Sequence, residues 1–454
     1  MRVFGTAGVR GIFNSTQSPL DVYGIALTSV FTFGRGAYGI GWDGRKSSAV
    51  LAGAVASGVS AAGSESVLFG VVPTPVTAFG SRERGCKVGF SVTASHNPPE
   101  YSGVKFFNKK GMELPVGDEE RIERVMAVDV KKDVRVPGDF RKWNPVDTYV
   151  QAMLERFVRR DKPLKIVVDC VNGPGVLVTP RVLQQLGHRV ISLNAQISWR
   201  FPARTPEPTP QTLVDTAAIV SAVGADFGFA HDGDADRLVM MNSGGEVLPD
   251  SIVSMIVLRA LGKHSGRVIL SENTSSAVEE EASRLGMHVV RSRIGKTFAE
   301  IEKQSAILAT EPSKVVDPEW GMWEDGMYCA ALITDAISQD PDLLNLLKAD
   351  RTWHYKQVNF STTVAFQTLV FKAEIEFARF RIADVRLLDG LKLVFKDQSW
   401  IMFRPSGTEP KVRVYCESRD QTKLGELLDA ASRVIQEAES VTGSKRRGDP
   451  SRPN

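Results

Sequence analysis

Asp232, Asp234 and Asp236 alternate in the stretch His231-Asp232-Gly233-Asp234-Ala235-Asp236-Arg237. If that stretch is an extended loop, alternation aims the three side chains the same way. Three hard oxygens gathered there suit a small divalent cation such as magnesium, and without a counter-ion they repel one another. An EF-hand is excluded, because its sixth and twelfth positions need Gly and Glu and here hold Arg237 and Ser243. The plain alternative is an Asp-Gly turn with its charges in water.

Three further polar stretches could do chemistry. Thr93-Ala94-Ser95-His96-Asn97-Pro98 offers Ser95 as a nucleophile beside His96, although a serine before a proline is commonly only a turn residue. A hydrolase elbow is not present, since Thr93 and Asn97 stand where that motif needs glycines. Arg404-Pro405-Ser406-Gly407-Thr408 combines a guanidinium, two hydroxyls and a loosened backbone, a set that suits a phosphate group. Thr310-Glu311-Pro312-Ser313-Lys314 is the last of the three. Gly295-Lys296-Thr297 resembles the end of a P-loop, but Val290 stands where the first glycine belongs, so a nucleotide triphosphatase is not indicated. Lys296 remains a candidate phosphate contact.

Each stretch needs a frame. Short apolar runs alternate with segments of helical period, and all four polar stretches follow an apolar run: Lys87–Val92, Asp226–Ala230, Ala306–Ala309 and Trp400–Phe403. Strand–helix alternation implies parallel sheets covered on both faces, and ligands in such sheets bind at the carboxyl ends of strands. The expected architecture is α/β: three consecutive α/β domains with mixed, mainly parallel sheets plus a smaller C-terminal α+β domain, around one central cleft. The expected boundaries are 1–145, 146–248, 249–354 and 355–454, with Lys131–Asn144, Asn242–Pro249 and Gln339–His354 as joining stretches. The tail from Lys445 reads as a frayed, basic terminus.

Bulk properties narrow the function classes. The chain has 454 residues, more than a single core usually serves, with 43% hydrophobic and 24% charged residues. A formal charge of +3 and the lack of a basic, aromatic-laced stripe argue against nucleic acid. No apolar run is long enough to span a bilayer, and no signal peptide is evident, so a cytoplasmic protein is expected. Cys86, Cys170, Cys329 and Cys416 are widely spaced and read as reduced thiols.

Taken together, TASHNP at 93–98, DGDADR at 232–237 and RPSGTEP at 404–410 resemble the phosphoserine, metal and phosphate signatures of the α-D-phosphohexomutases. Phe4–Gly11, Asp43–Ser47, Pro73-Thr74-Pro75 and Pro206–Pro210 resemble that family in the same order, so the likeness runs over nearly the whole chain. The resemblance implies that Ser95 is phosphorylated and relays the phosphoryl group through a hexose 1,6-bisphosphate, which also primes the enzyme. It implies magnesium held by Asp232, Asp234, Asp236 and a phosphoserine oxygen, with Arg10 and Arg237 near the transferring group. Lys105 matches the family's proton-transfer lysine, and His96 is a second candidate for that task. Arg404, Ser406, Gly407 and Thr408 would grip the phosphate that does not react.

The third loop departs from the family pattern. Many members read Gly-Glu-x-Ser-Gly-His there; this chain keeps Glu311 and Ser313, which can bond sugar hydroxyls, but has Lys314 and Val315 in place of Gly and His. Archaeal-type members vary in this loop. The sugar is therefore open between mannose or glucose phosphates and glucosamine phosphate. Trp320, Trp323 and Asp325 either shape the pocket or simply pack. A metal-dependent sugar phosphatase and a non-catalytic sugar-phosphate-binding protein are the alternatives from other classes. Nothing in the sequence chooses between a monomer and a homo-oligomer.

Overall fold

The computed structural model describes residues 3–5, 8–127, 135–159, 161–347, 353–406 and 410–446. Nineteen strands form four sheets among them. The first sheet contains β1 (Val9–Ile12), β2 (Ala37–Trp42), β3 (Glu65–Val71), β4 (Val88–Val92), β5 (Tyr101–Asn108) and β6 (Phe140–Lys142), in the order β1-β5-β4-β2-β3-β6. The second contains β7 (Lys165–Asp169), β8 (Arg189–Leu193), β9 (Phe227–His231) and β10 (Leu238–Asn242), ordered β10-β9-β7-β8. The third contains β11 (Arg267–Ser271), β12 (His288–Ser292), β13 (Ala306–Glu311) and β14 (Lys314–Val316), ordered β12-β11-β13-β14. The fourth contains β15 (His354–Ser361), β16 (Ile382–Arg386), β17 (Leu391–Phe395), β18 (Trp400–Pro405) and β19 (Lys411–Ser418), ordered β15-β19-β18-β17-β16 and antiparallel throughout.

The sheets are mixed for a reason that bears on function. β4, β9 and β13 each turn back into an antiparallel neighbour: β5, β10 and β14. Three of the four polar stretches are thus hairpin connections, and the fourth begins at the end of β18, which pairs antiparallel with β19. The outgoing strands are apolar because they are buried on both faces, and every residue of β4 and β9 is buried. The returning strands are harder to recognise, since β5 carries the buried Lys105 inside its run.

Helices cover the sheets. Helix Pro19–Phe33 begins with a reciprocal cap between Ser18 and Asp21 and with proline in its first turn. It packs on helix Lys46–Ala61, where a Cβ on Gly58 would lie 2.4 Å from the carbonyl oxygen of Tyr23. The small residues of that helix let the two backbones approach. In the fourth sheet, β18 alternates: Ile401 and Phe403 pack under helices Phe366–Phe377 and Gln421–Arg446, while Trp400 and Met402 face the other way with Tyr415 and Ile294.

Several elements differ from expectation. The sequence pattern over Val176–Leu186 reads as one helix, but the fold has a 3-10 turn at Pro174–Leu177 followed by helix Thr179–Gln185, because Pro180 cannot donate a hydrogen bond inside one continuous helix. The run Val358–Ala365 reads as a strand in sequence, but the strand lies earlier, at His354–Ser361, and ends where Thr362 N bonds to Pro410 O. Part of the expected linker Lys131–Asn144 falls outside the described residues, and Phe140–Lys142 is not a linker but an edge strand parallel to β3.

The chain forms two compact units. The first is Met1–Ile269 with Glu281–Val290 and Thr297–Ala349; the second is Leu270–Glu280 and Arg291–Lys296 with Asp350–Asn454. The loops after β11 and β12 therefore belong with the fourth sheet, although they lie far from it in sequence.

Candidate active site

In the first unit, the hairpin connections of the first two sheets meet. Ser95 is 1% exposed and adopts φ 52°, a left-handed conformation that is strained for a residue with a side chain. Three groups fix it. Its N–H donates to Thr93 Oγ1 at 2.8 Å, and Thr93 Oγ1 donates to Asp43 Oδ2 at 2.8 Å. Arg45, also buried, pairs through Nε with Asp43 Oδ2 at 3.0 Å. The same guanidinium donates to the carbonyl oxygens of Ser95 (2.8 Å), Asn97 (2.6 Å) and Pro98 (2.5 Å). Asp43 and Arg45 thus hold the serine loop without touching the Ser95 hydroxyl. Asp43–Ser47 entered the sequence reading only as a likeness, because two residues in a turn after a strand carry no periodic signal of their task.

Ser95 Oγ donates to Asp232 Oδ2 at 2.7 Å and lies 3.3 Å from His96 Nδ1. One carboxylate oxygen from each of Asp232, Asp234 and Asp236 lies within 4.8 Å of the others. The convergence was expected, but its cause differs. The loop is a turn, with Ala235 N bonded to Asp232 O at 3.2 Å and Ala235 at φ 60°. Glycine at 233 is required by the approach of the two loops, since a Cβ there would lie 2.5 Å from the carbonyl oxygen of Ser95.

Lys105 Nζ donates to Asp234 Oδ2 at 2.9 Å and to Asp236 Oδ2, while Thr74 Oγ1 donates to Asp234 Oδ2 at 2.6 Å. The other oxygens, Asp234 Oδ1 and Asp236 Oδ1, are buried without a hydrogen-bond partner. Burial, then the neighbouring Asp234 and Asp236, push the Asp232 carboxyl up to about 8. Orphaned buried oxygens and mutually repelling carboxylates are what a hard divalent cation would satisfy, so the residues fit magnesium. Burial works against charge on Lys105, but Asp234 and Asp236 outweigh it and hold the group as an ammonium. His96 is driven well below the usual histidine range by burial and by Arg237, Arg10 and Lys314, and is neutral.

Both candidate arginines are here. Arg10 donates from Nη1 to Asn97 Oδ1 at 3.0 Å, and its buried Nε has no hydrogen-bond partner. Arg237 Nε lies 3.9 Å from Asp232 Oδ2 and likewise makes no hydrogen bond. Unspent guanidinium donors beside a buried hydroxyl form a receptor for an anion.

The third hairpin joins this cluster. Ser313 O accepts from Leu238 N at 2.9 Å, and Lys314 Nζ lies 3.6 Å from Asp236 Oδ2 while pairing with Glu324. Neither Lys314 nor Glu324 stood among the expected site residues. Glu311 accepts from Thr297 Oγ1 at 2.9 Å, and the Ser313 hydroxyl donates to Pro312 O at 2.7 Å. Trp320 and Trp323 pack: both indole N–H groups and the Tyr149 hydroxyl donate to Asp325 Oδ2, at 2.8, 3.0 and 2.5 Å.

The remaining expected residues belong to the second unit. Arg404 Nε donates to Asp389 Oδ2 at 2.9 Å, and the same oxygen accepts from Ile294 N at 3.0 Å, so the Arg404 strand end and the loop carrying Lys296 share an anchor. Ser406 N donates to Lys411 O at 2.9 Å. Gly407 and Thr408 lie outside the described residues.

Comparisons with known proteins agree along the chain. Family sequence models match residues 1–132 (phosphoglucomutase/phosphomannomutase, alpha/beta/alpha domain I), 147–245 (domain II) and 371–434 (C-terminal domain). A relative named phosphopentomutase, from Thermococcus kodakarensis, is 33% identical over 97% of this chain and 100% of its own length. One named probable phosphoglucosamine mutase, from Thermococcus gammatolerans, is 31% identical over 96% of this chain and 99% of its own. Among solved structures, a phosphoglucomutase/phosphomannomutase family protein from Burkholderia thailandensis superimposes with a TM-score of 0.83 at 25% identity, covering 96% of this chain and 98% of that one.

Proposed function

The chain belongs to the phosphoglucomutase/phosphomannomutase family, and from that premise we propose that it moves a phosphoryl group between the anomeric and terminal hydroxyls of a hexose phosphate through phosphorylated Ser95. The observation that carries this reading is the buried Ser95 hydroxyl on Asp232, at 2.7 Å, beside two further carboxylates and two arginines with unspent donors. Phosphoryl transfer depends on charge neutralisation and positioning more than on covalent chemistry. Magnesium, held by Asp232, Asp234, Asp236 and a phosphoserine oxygen, would supply positive charge to the transferring group. Arg10 and Arg237 add donors fixed before the reaction begins.

Phosphoserine gives its phosphoryl group to the free hydroxyl: the bond to Ser95 Oγ breaks and a bond to the sugar oxygen forms. Neutral His96 is suited to take the hydroxyl proton, and the Lys105 ammonium to give one to Ser95 Oγ. The bisphosphorylated sugar then turns end for end, and its other phosphate returns to Ser95. Lys296, Arg404, Ser406, Gly407 and Thr408 are the proposed grip on the phosphate that does not react, and Glu311 and Ser313 the contacts to ring hydroxyls. Division at 145, 248 and 354 and a cytoplasmic location complete the reading. No helix among the described residues is long and apolar enough to cross a membrane, and the four cysteines are buried and free.

A second reading concerns the sugar. The relative named phosphopentomutase, together with Lys314 and Val315 in the sugar hairpin, favours a pentose 1- and 5-phosphate as the alternative pair. The test is an isomerisation assay with magnesium and catalytic sugar bisphosphate on mannose, glucose, glucosamine and ribose 1-phosphates, with Ser95→Ala as control. Turnover of one sugar that vanishes in Ser95→Ala supports the proposal and selects the substrate. Release of inorganic phosphate without isomerisation would indicate a phosphatase. Binding without turnover would indicate a sugar-phosphate-binding protein.

A further inference from the structure

Lys314 sits at the first position of β14, paired across the hairpin with Glu311. The turn between them is Pro312-Ser313. Proline cannot take positive φ at the first turn position, and Ser313 takes φ 60° at the second, which is the type II arrangement. The turn is tied at its tip by Ser313 O to Leu238 N and at its base by Thr310 Oγ1 to Lys314 O, both at 2.9 Å. Lys314 therefore leaves a fixed backbone. Its side chain is 14% exposed and runs to the cation loop, where Nζ lies 3.6 Å from Asp236 Oδ2 and pairs with Glu324, itself 9% exposed.

The two oxygens of Asp236 are unlike. Oδ2 faces two ammonium groups, Lys105 and Lys314; Oδ1 is buried and has no hydrogen-bond partner. A carboxylate held from one side by two cations cannot rotate freely, and its other oxygen stays available for a cation. Glu324 makes this tolerable, because it cancels the charge that Lys314 brings to a buried site.

We propose that Lys314 is a positioning residue for the cation site: reaching from the sugar hairpin, it holds Asp236 so that Oδ1 is presented to the metal. This rests on the reading of Asp232, Asp234 and Asp236 as metal ligands. The role is specific to this chain's hairpin, where the resembling pattern has glycine at the position of Lys314.

The test separates tethering from charge. Lys314→Met with Glu324→Gln removes one positive and one negative charge together, so the net field at the aspartates changes little while the tether is lost. Magnesium binding to the full chain is measured by titration calorimetry, with no sugar present, beside the metal-free thermal melt of each variant. Loss of a group that orients a metal ligand costs on the order of 10- to 100-fold in affinity. We expect weakening of about tenfold in the paired variant with an unchanged metal-free melt, and near-native affinity in Lys314→Arg, whose longer cation still reaches Asp236. Affinity within twofold of wild type in the paired variant would overturn the proposal. If that variant does not fold, Lys314→Gln with Glu324→Gln replaces it: this pair also removes one positive and one negative charge together, and unchanged affinity there refutes the tether equally. Absence of magnesium binding in the wild type would instead refute the metal site itself, a distinguishable outcome.

Discussion

Replacing Arg45 with Met should damage catalysis without touching substrate. Arg45 and Asp43 are fully buried partners, and the guanidinium also holds the carbonyl oxygens of Ser95, Asn97 and Pro98. Breaking a buried pair from one side costs about 3–5 kcal/mol, because Asp43 is left charged and unmatched. The kinetic effect follows from the backbone. Ser95 at φ 52° stores roughly 1–3 kcal/mol of strain, which persists only while its surroundings impose it. If the loop relaxes by that amount, the fraction of molecules with Ser95 Oγ on Asp232 falls about 5- to 160-fold, and kcat falls with it. KM for the sugar phosphate should change little, since Arg45 is buried beneath the loop. Urea unfolding and steady-state isomerisation kinetics, both on Arg45→Met, check the two magnitudes. Arg45→Lys keeps the charge but not the fan of donors, and should regain stability before activity. A variant destabilised as expected but with kcat within twofold of wild type would refute the claim that Arg45 imposes the Ser95 conformation.

Three other outcomes are expected. Gly233→Ala places a Cβ 2.5 Å from the Ser95 carbonyl oxygen, so the serine and cation loops must separate; a loss of about 1–3 kcal/mol by thermal melt and at least a tenfold loss of kcat should follow. Asp325→Asn cannot accept from Tyr149, Trp320 and Trp323 as the carboxylate does, and should cost about 1–3 kcal/mol with a red-shifted tryptophan emission; an unchanged KM would agree with packing, a raised KM with pocket shaping. Burial, then Arg291, lower the Lys392 ammonium to about 7 against Glu272, although its contacts, Glu272 O at 2.6 Å and the Trp400 ring at 3.9 Å, are those of a cation. With the folded value below the unfolded one near 10.4, the unfolded chain binds more protons between about pH 7 and 10. Stability against urea should therefore rise across that window, and the rise should be smaller in Lys392→Met; equal slopes would show that Lys392 does not titrate there.

The outgoing strands were legible because burial on both faces demands unbroken apolar runs such as Val88–Val92 and Phe227–His231. The returning strand β5 was not, since it carries Lys105 in the middle of its run, and a charged residue speaks against a buried strand until its partners Asp234 and Asp236 are known. Helix Gly326–Gln339 escaped notice for the opposite reason: it is buried nearly all round, so it has no apolar stripe of helical period. Within the site, Ser95 and the aspartates stood out through motif and charge pattern. Arg45, Lys314 and Glu324 did not, because their roles come from contacts between segments far apart in sequence, as when Lys314 meets Asp236.

The membership of Leu270–Glu280 and Arg291–Lys296 in the second unit limits how that unit can be inherited. One face of the fourth sheet is closed by its own helices, but on the other Trp400, Met402 and Tyr415 pack with Ile294, and Trp400 Nε1 shares the Glu417 carboxylate with Ser276 N. A gene fragment starting near residue 355 would encode the five strands without these two segments. It would expose a tryptophan-bearing apolar face and leave the Glu417 carboxylate short of a donor. Exchange of this unit between related genes by a single crossover should fail more often than exchange of all three segments, which takes five crossovers, and substitutions at Ile294 should track those at Met402 and Tyr415 across descendants.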